Sequence, residues 1–82
     1  MGMISNEKIL KILKTECEAE EIFSTIYGQF KDQSEWRLWF SDAFKKFIVK
    51  EKEKNSQEFK ISYDGTYTEC LRYILRKHKE KK

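Results

Sequence analysis

A chain of 82 residues has room for one domain with a single modest core, and it is too short to build a deep cleft between two lobes. The 17 lysine and arginine residues and the 14 aspartate and glutamate residues leave a net charge of +3, far below the strongly basic character of a dedicated nucleic-acid binder. Length and charge therefore argue against an elaborate active site and leave the kind of partner open.

The first predicted element is one long helix over residues 5–30. Apolar residues recur every three or four positions, as the buried face of a helix requires; they are Ile9, Ile12, Leu13, Ala19, Phe23, Ile26 and Phe30. Ser5 or its neighbour Asn6 is the predicted N-cap. Thr15 and Glu18 also have the spacing of a capping box, so the alternative is a short helix followed by a second one.

A second helix is predicted to begin at the capping box that Asp32 and Glu35 form. The apolar residues behind this box have helical spacing; they are Trp36, Phe40, Ala43, Phe44 and Phe47. Leu38 and Trp39 flank the stripe, so the apolar arc is wider than one neighbouring helix would cover. The pattern indicates that a further surface packs there.

The periodicity changes after Ile48. Residues 49–57 are almost entirely charged or polar, and they fit a helical extension, a strand edge or a loop. Phe59, Ile61 and Tyr63 then alternate with polar residues before an Asp-Gly turn, which indicates a strand. This strand needs a partner for its backbone groups, either residues 47–52 in a short hairpin or the same strand of a second copy.

Thr66 and Glu69 form a capping box ahead of the last predicted helix. The inward positions of this helix are Tyr67, Cys70, Leu71, Ile74 and Leu75. Basic residues crowd its final turns, where cations suit the negative end of the helix dipole, and the end is expected to fray from about residue 79.

The predicted fold is therefore one mainly α, small α+β domain over residues 1–82. Its order is helix, helix, short β-hairpin and helix, packed around one aromatic-rich core, and an all-α three-helix bundle is the runner-up.

Catalytic chemistry is not expected. Cys17 lies among glutamates, Cys70 lies on an inward stripe, and neither has the spacing of a metal ligand or of a disulfide framework. The single histidine, His78, sits near the end of the chain without a recognisable partner, and it is interpreted as a surface or edge residue. We therefore expect a protein that is not an enzyme and has no catalytic residues, metal or cofactor.

The sequence also bears on the cellular compartment. The first ten residues lack the apolar segment of a secretory signal, and no stretch approaches a membrane-spanning length. Two cysteines without a pairing pattern are expected to be reduced thiols. The prediction is a cytoplasmic protein without a membrane partner.

Protein binding is the leading functional hypothesis. Two tryptophans, six phenylalanines and four tyrosines exceed what a core of this size needs, and tryptophan and tyrosine are common anchors of protein interfaces. The predicted interface residues are Tyr27, Leu38, Trp39, Phe59, Ile61 and Tyr63. We expect a small regulator or inhibitor that binds another protein and self-associates as a homodimer. By analogy with other small chains of this kind, it could be encoded by a mobile element.

The alternative hypothesis is a nucleic-acid-binding accessory protein. Arg72, Arg76 and Lys79 have i, i+4 and i+7 spacing on the outer face of the last helix, with Tyr73 and Lys77 beside them. Such a face can lie along phosphates and stack on a base. The predicted spacing of the last two helices does not match a helix-turn-helix, so protein binding leads.

Overall fold

The computed structural model describes residues 4–81, and within them two helices and five strands. In chain order these are α1 (Asn6–Glu16), β1 (Glu20–Ile22), β2 (Thr25–Gln29), β3 (Glu35–Ser41), β4 (Lys46–Lys52), β5 (Lys60–Gly65) and α2 (Tyr67–Glu80). The strands form one antiparallel sheet in the order β1-β2-β3-β4-β5, and each strand pairs with its neighbour in sequence. The chain is thus a small α+β domain. The predictions of a mainly α fold and of a three-helix bundle are both wrong.

Both helices pack on one face of the sheet. The core cluster takes residues from every element except β1 and β5, and it includes Ile9, Leu13, Ile26, Trp36, Leu38, Val49, Leu71 and Ile74. Close packing of these side chains removes apolar surface from water, which is the main favourable contribution to folding. No helix within the described residues 4–81 is long and apolar enough to cross a membrane.

The prediction of a helix over residues 5–30 is wrong beyond Glu16. Ser5 is the N-cap, as expected, and its Oγ accepts a hydrogen bond from the Lys8 amide at 3.2 Å. The capping box at Thr15 does not form, because the Thr15 hydroxyl instead donates to the Lys11 carbonyl at 2.9 Å. Glu18 adopts a positive φ of 52°, which a helix cannot continue through. The apolar spacing further along reflects a strand.

A two-residue turn joins β1 to β2. Phe23 and Ser24 both have positive φ, at 49° and 64°, and Ile22 pairs with Thr25 across the turn. This geometry suits the right-handed twist of a hairpin, and asparagine and glycine are its usual residues. Because a Phe-Ser pair carries neither signal, sequence inspection missed the hairpin.

The second predicted helix is also wrong, because its residues form β3, β4 and the turn between them. Trp36 and Phe40 are four residues apart, and that spacing fits both a helical period and the two-residue alternation of a strand. Asp32 does not open a helix with Glu35. Its carboxylate instead accepts a hydrogen bond from the Ser34 amide at 2.9 Å in the loop before β3. Leu38 and Trp39 point to opposite faces of the sheet, which explains the wide apolar arc.

In the last third of the chain the predicted strand pairs within the chain and the predicted capping box forms, whereas Asp64 and Gly65 lie in β5 and α2 continues past residue 79 to Glu80. The β4 strand pairs with β5 within one chain, and Ser62 is an extra residue between the pairs Val49–Tyr63 and Lys50–Ile61. The capping box of α2 is complete, because the Thr66 hydroxyl accepts from the Glu69 amide at 3.1 Å and the Glu69 carboxylate accepts from the Thr66 amide at 2.9 Å. Local signals were sufficient for the capping box, whereas the sequence left the partner of β5 open between residues 47–52 and a second copy.

Candidate protein-binding face

The sheet face opposite the helices, called the outer face below, gathers four of the six predicted interface residues. The outer face includes Tyr27, Arg37, Trp39, Ile48, Lys50, Phe59 and Ile61. The strand members occupy positions that alternate with those of the core residues, as the pleat of a strand requires. Phe59 precedes β5 and reaches this face, because its ring centroid lies 4.0 Å from Cζ of Arg37.

The strand register aligns the outer face in one row across all five strands. The row consists of Glu20, Tyr27, Arg37, Lys50 and Ile61, each the direct register partner of the next. Direct partners on one face of an antiparallel pair lie close enough for their side chains to interact. Two cations therefore stand side by side at the centre of the sheet.

Both cations make cation–π contacts with aromatic rings. Cζ of Arg37 lies 4.0 Å from the Phe59 ring centroid and 5.5 Å from that of Tyr27, so the guanidinium lies near the faces of two rings. Nζ of Lys50 lies 5.6 Å from the centroid of the Trp39 ring. Such contacts are attractive because the face of an aromatic ring carries partial negative charge.

The two central cations have no ion-pair partner within the described part of the chain. No carboxylate there lies within 4.0 Å of Arg37 or Lys50. The two flanking lysines are paired, since Lys46 lies 3.6 Å from Asp64 and Lys52 lies 3.5 Å from Glu35. The positive charge of the outer face is therefore concentrated on one adjacent pair.

Apolar side chains surround this pair. Ile48 is only 2% exposed although it lies outside the core cluster, which means that its outer-face neighbours cover it. Ile61 is 50% exposed and Tyr27 is 38% exposed, while Trp39 and Phe59 are half-buried. The outer face thus presents aromatic and aliphatic groups to solvent around two unpaired cations.

The other two predicted interface residues lie on the helix side of the sheet. Leu38 is 1% exposed and belongs to the core. Tyr63 stacks on Tyr73 of α2, with their ring centroids 4.7 Å apart, and the Tyr73 hydroxyl donates to Glu51 at 2.6 Å. Burial, followed by this contact with Glu51, raises the pKa of Tyr73. Neither Leu38 nor Tyr63 can contribute to a surface on the outer face.

Three of the five nucleic-acid candidates on α2 border one groove, and the other two, Tyr73 and Lys77, lie outside it. Arg72, Arg76 and Lys79 border a groove of about 500 Å³, and apolar side chains that include Leu75 form much of its lining. Tyr73 lies against Tyr63 instead, and Nζ of Lys77 lies 5.9 Å from the Tyr73 ring centroid. The stacked position of Tyr73 leaves less of its ring available to a base than the sequence hypothesis requires.

His78 differs from the sequence interpretation. It is buried at 2% exposure, and its Nε2 lies 2.7 Å from Oε1 of Glu16. The prediction of a surface or edge residue is therefore wrong. The partner lies 62 positions away in the sequence, so no local pattern could have identified it.

Both cysteines are buried and unpaired. Burial raises the pKa of each thiol to about 11, and the nearby Glu16 carboxylate adds to the shift at Cys17. A thiol with such a pKa is protonated at neutral pH, whereas the thiolate is the reactive nucleophile. Among residues 4–81, no group of three or more histidine, cysteine, aspartate or glutamate side chains gathers into a metal site.

Comparison of the chain with protein-family models, with curated proteins and with solved structures finds no significant match. Sequence reasoning overlooked Arg37, Ile48 and Lys50, although the alternation of core and outer residues in Glu35–Ser41 is a signal that could have found Arg37.

Proposed function

We propose that this chain is a small non-enzymatic regulatory or inhibitor-type protein that binds another protein through the outer face. The supporting observation is the assembly of Trp39, Tyr27 and Arg37 on one open sheet face, over the covered side chain of Ile48. Tryptophan, tyrosine and arginine are the residue types that most often dominate the energy of protein interfaces. Fixed in a sheet, these side chains lose little conformational freedom when a partner binds.

The surroundings of the histidine and of the two cysteine thiols support a role without catalysis. A general base must reach the group that it activates, but His78 is 2% exposed and its Nε2 bonds to Glu16, so its ring does not open onto a surface where a substrate could bind. The raised pKa of both thiols also disfavours a cysteine nucleophile. Two unpaired cysteines further suit the reducing cytoplasm, where we place the proposed activity.

A capture experiment with two matched double variants tests the proposal. The first variant, Tyr27→Ser with Ile61→Ser, removes two exposed side chains from the outer face. The control, Phe23→Ser with Phe44→Ser, removes two exposed rings from hairpin turns outside it. We expect wild type and control to retain the same protein from an extract of the source cells and the outer-face variant to lose it.

Circular dichroism and thermal unfolding establish that all three proteins are folded. Equal retention by both double variants would show that the partner binds elsewhere on the chain. The isolated partner is then titrated with each protein. The dissociation constant does not depend on how much of each protein was expressed, so a difference in it reports binding alone.

The nucleic-acid hypothesis remains the second candidate, because Arg72, Arg76 and Lys79 border one groove. Replacing all three with alanine would abolish a mobility shift of short DNA or RNA if this groove binds phosphates. Three phosphate contacts predict that log affinity falls against log salt with a slope of about −3 for duplex DNA. A shift at physiological salt that disappears in the triple variant would favour this function over protein binding.

A further inference from the structure

We propose that the outer face recognises an acidic segment of its protein partner, with one or more carboxylates on Arg37 and Lys50 and an apolar side chain beside Trp39 and Ile61. This inference rests on the proposed function and specifies the chemistry of the partner.

Two like charges lie directly opposite each other on neighbouring strands of the outer face. Arg37 and Lys50 are register partners on β3 and β4. Like charges directly opposite each other destabilise an antiparallel pair, so this arrangement is unfavourable for the isolated sheet. An anion placed between them would relieve the repulsion. The repulsion raises the free energy of the free protein more than that of the complex, and this difference favours binding.

The guanidinium of Arg37 packs against aromatic rings. Rings of Phe59 and Tyr27 lie near Arg37, with the closer centroid 4.0 Å from Cζ. A guanidinium that packs on an aromatic ring can still donate two parallel hydrogen bonds to a carboxylate from its free edge. Stacking also restricts the side chain before the partner arrives, which lowers the entropy cost of binding.

Apolar side chains lie beside the cation pair. On the outer face, the Trp39–Ile48 pair is the neighbour of the Arg37–Lys50 pair. Ile61 lies beyond Lys50, at the end of the row that contains both cations. A partner side chain packed on these groups would exclude water from the ion pairs. Charged hydrogen bonds are stronger in such surroundings than in open solvent.

The remaining charges favour an acidic protein segment over a nucleic acid. Glu20 ends the row beyond Tyr27, and Glu35 lies in the adjacent register position to Arg37 on the same face. Lys46 and Lys52 are already paired with carboxylates. A polyanion that crosses the sheet would meet these acidic groups, whereas a peptide can carry its carboxylates only where the two free cations lie.

Peptide display on the immobilised protein tests the proposal. Random peptides are selected on wild type and sequenced, and we expect the retained peptides to be enriched in aspartate and glutamate next to an apolar residue. Representative peptides are then titrated against Arg37→Gln with Lys50→Gln, and against Lys8→Gln with Lys11→Gln, a control with the same charge change on exposed positions of α1. We expect about tenfold weaker binding for the outer-face variant, no change for the control, and weaker binding to wild type as salt increases.

The outcomes separate this inference from the proposed function. Peptides that depend on Tyr27 and Ile61 but lack acidic enrichment, or that bind the Arg37→Gln, Lys50→Gln variant as well as wild type, would overturn the inference alone. Selected peptides that bind the Tyr27→Ser, Ile61→Ser variant unchanged would overturn both.

Single-stranded oligonucleotides are tested in parallel. If they bind wild type and the control but not the variant lacking Arg37 and Lys50, the recognised anion is a phosphate, and the inference is wrong. Whether the peptides selected on wild type are enriched in aspartate and glutamate tests the inference without any variant, so a folding defect in a variant cannot affect the result.

Discussion

Glu16 and His78 join the end of α1 to the last turns of α2, with Nε2 of the buried imidazole 2.7 Å from Oε1 of the carboxylate. The hydrogen bond to His78 is the main reason why the pKa of Glu16 lies below its ordinary value of 4.5. The contact connects the two helices at the opposite end from the hydrogen bond between Asn6 and Thr68.

We predict that Glu16→Gln lowers the free energy of unfolding at neutral pH, because the carboxylate that accepts from His78 is lost. The pKa of Glu16 is lowered by folding, so its contribution is complete above pH 4.5 and is lost as the pH falls through the folded value. The variant should therefore approach wild type in acid. Urea unfolding at pH 7 and pH 3 measures this difference, with Glu53→Gln in an exposed loop as the control. An equal loss at both pH values would contradict the prediction.

A second prediction concerns Asp32, whose carboxylate accepts a hydrogen bond from Nζ of Lys81 at 2.6 Å. This bond, together with those from Ser34, lowers the pKa of Asp32 from 3.8 to about 2. Because folding lowers this pKa, the stabilisation is present above pH 3.8 and is lost between pH 3.8 and about 2. Asp32→Asn should be less stable than wild type at neutral pH and should show a flatter decline across this range.

Acid titration of the denaturant midpoint measures the effect at Asp32. Asp42→Asn, in the exposed turn between β3 and β4, is the matched control and should decline as wild type does. If Asp32→Asn also declines as wild type does, Asp32 is not linked to folding in solution.

A third prediction concerns Gly28, which lies opposite Trp36 in the pairing of β2 with β3. A Cβ on Gly28 would overlap the Trp36 indole, which is fully buried. We expect Gly28→Ala to destabilise the domain by about 1–3 kcal/mol, because a tightly packed core cannot accept another methyl group without shifting. Equilibrium unfolding provides the measurement. Gln29→Ala on the exposed face of the same strand should change stability much less, and equal effects would refute the packing argument.

Self-association remains an untested prediction, but the structure removes two of the reasons for expecting it. Leu38 is buried in the core and β5 is paired with β4, so neither needs a second copy. A two-fold contact between outer faces would also bring two sets of the same cations together. Sedimentation velocity over the micromolar range would show a mass that rises with concentration if a homodimer forms. A single monomeric species throughout would contradict the prediction.

The sequence by itself determined the features that depend on neighbours in the chain. Ser5 caps α1 and Thr66 with Glu69 caps α2, because a short side chain needs only the adjacent amides to form these bonds. The strand at Ile61 and Tyr63 was also recognisable from its local alternation, but Asp64 and Gly65 belong to β5, and the extra residue Ser62 puts Ile61 and Tyr63 on opposite faces of the sheet. Tyr27, Trp39, Phe59 and Ile61 were each predicted from the sequence as interface residues. The sequence did not predict the sheet that brings them onto one face.

Only the tertiary structure decided the conformation of residues 20–52. Trp36 and Phe40 satisfy both a helical and a strand period, so pairing with β2 and β4 had to select between them. The same pairing placed Arg37 beside Lys50, and packing of α2 against α1 buried His78 on Glu16. These contacts join groups that are distant in sequence, and their free energy exists only when the strands and helices have come together, so no local pattern encodes them.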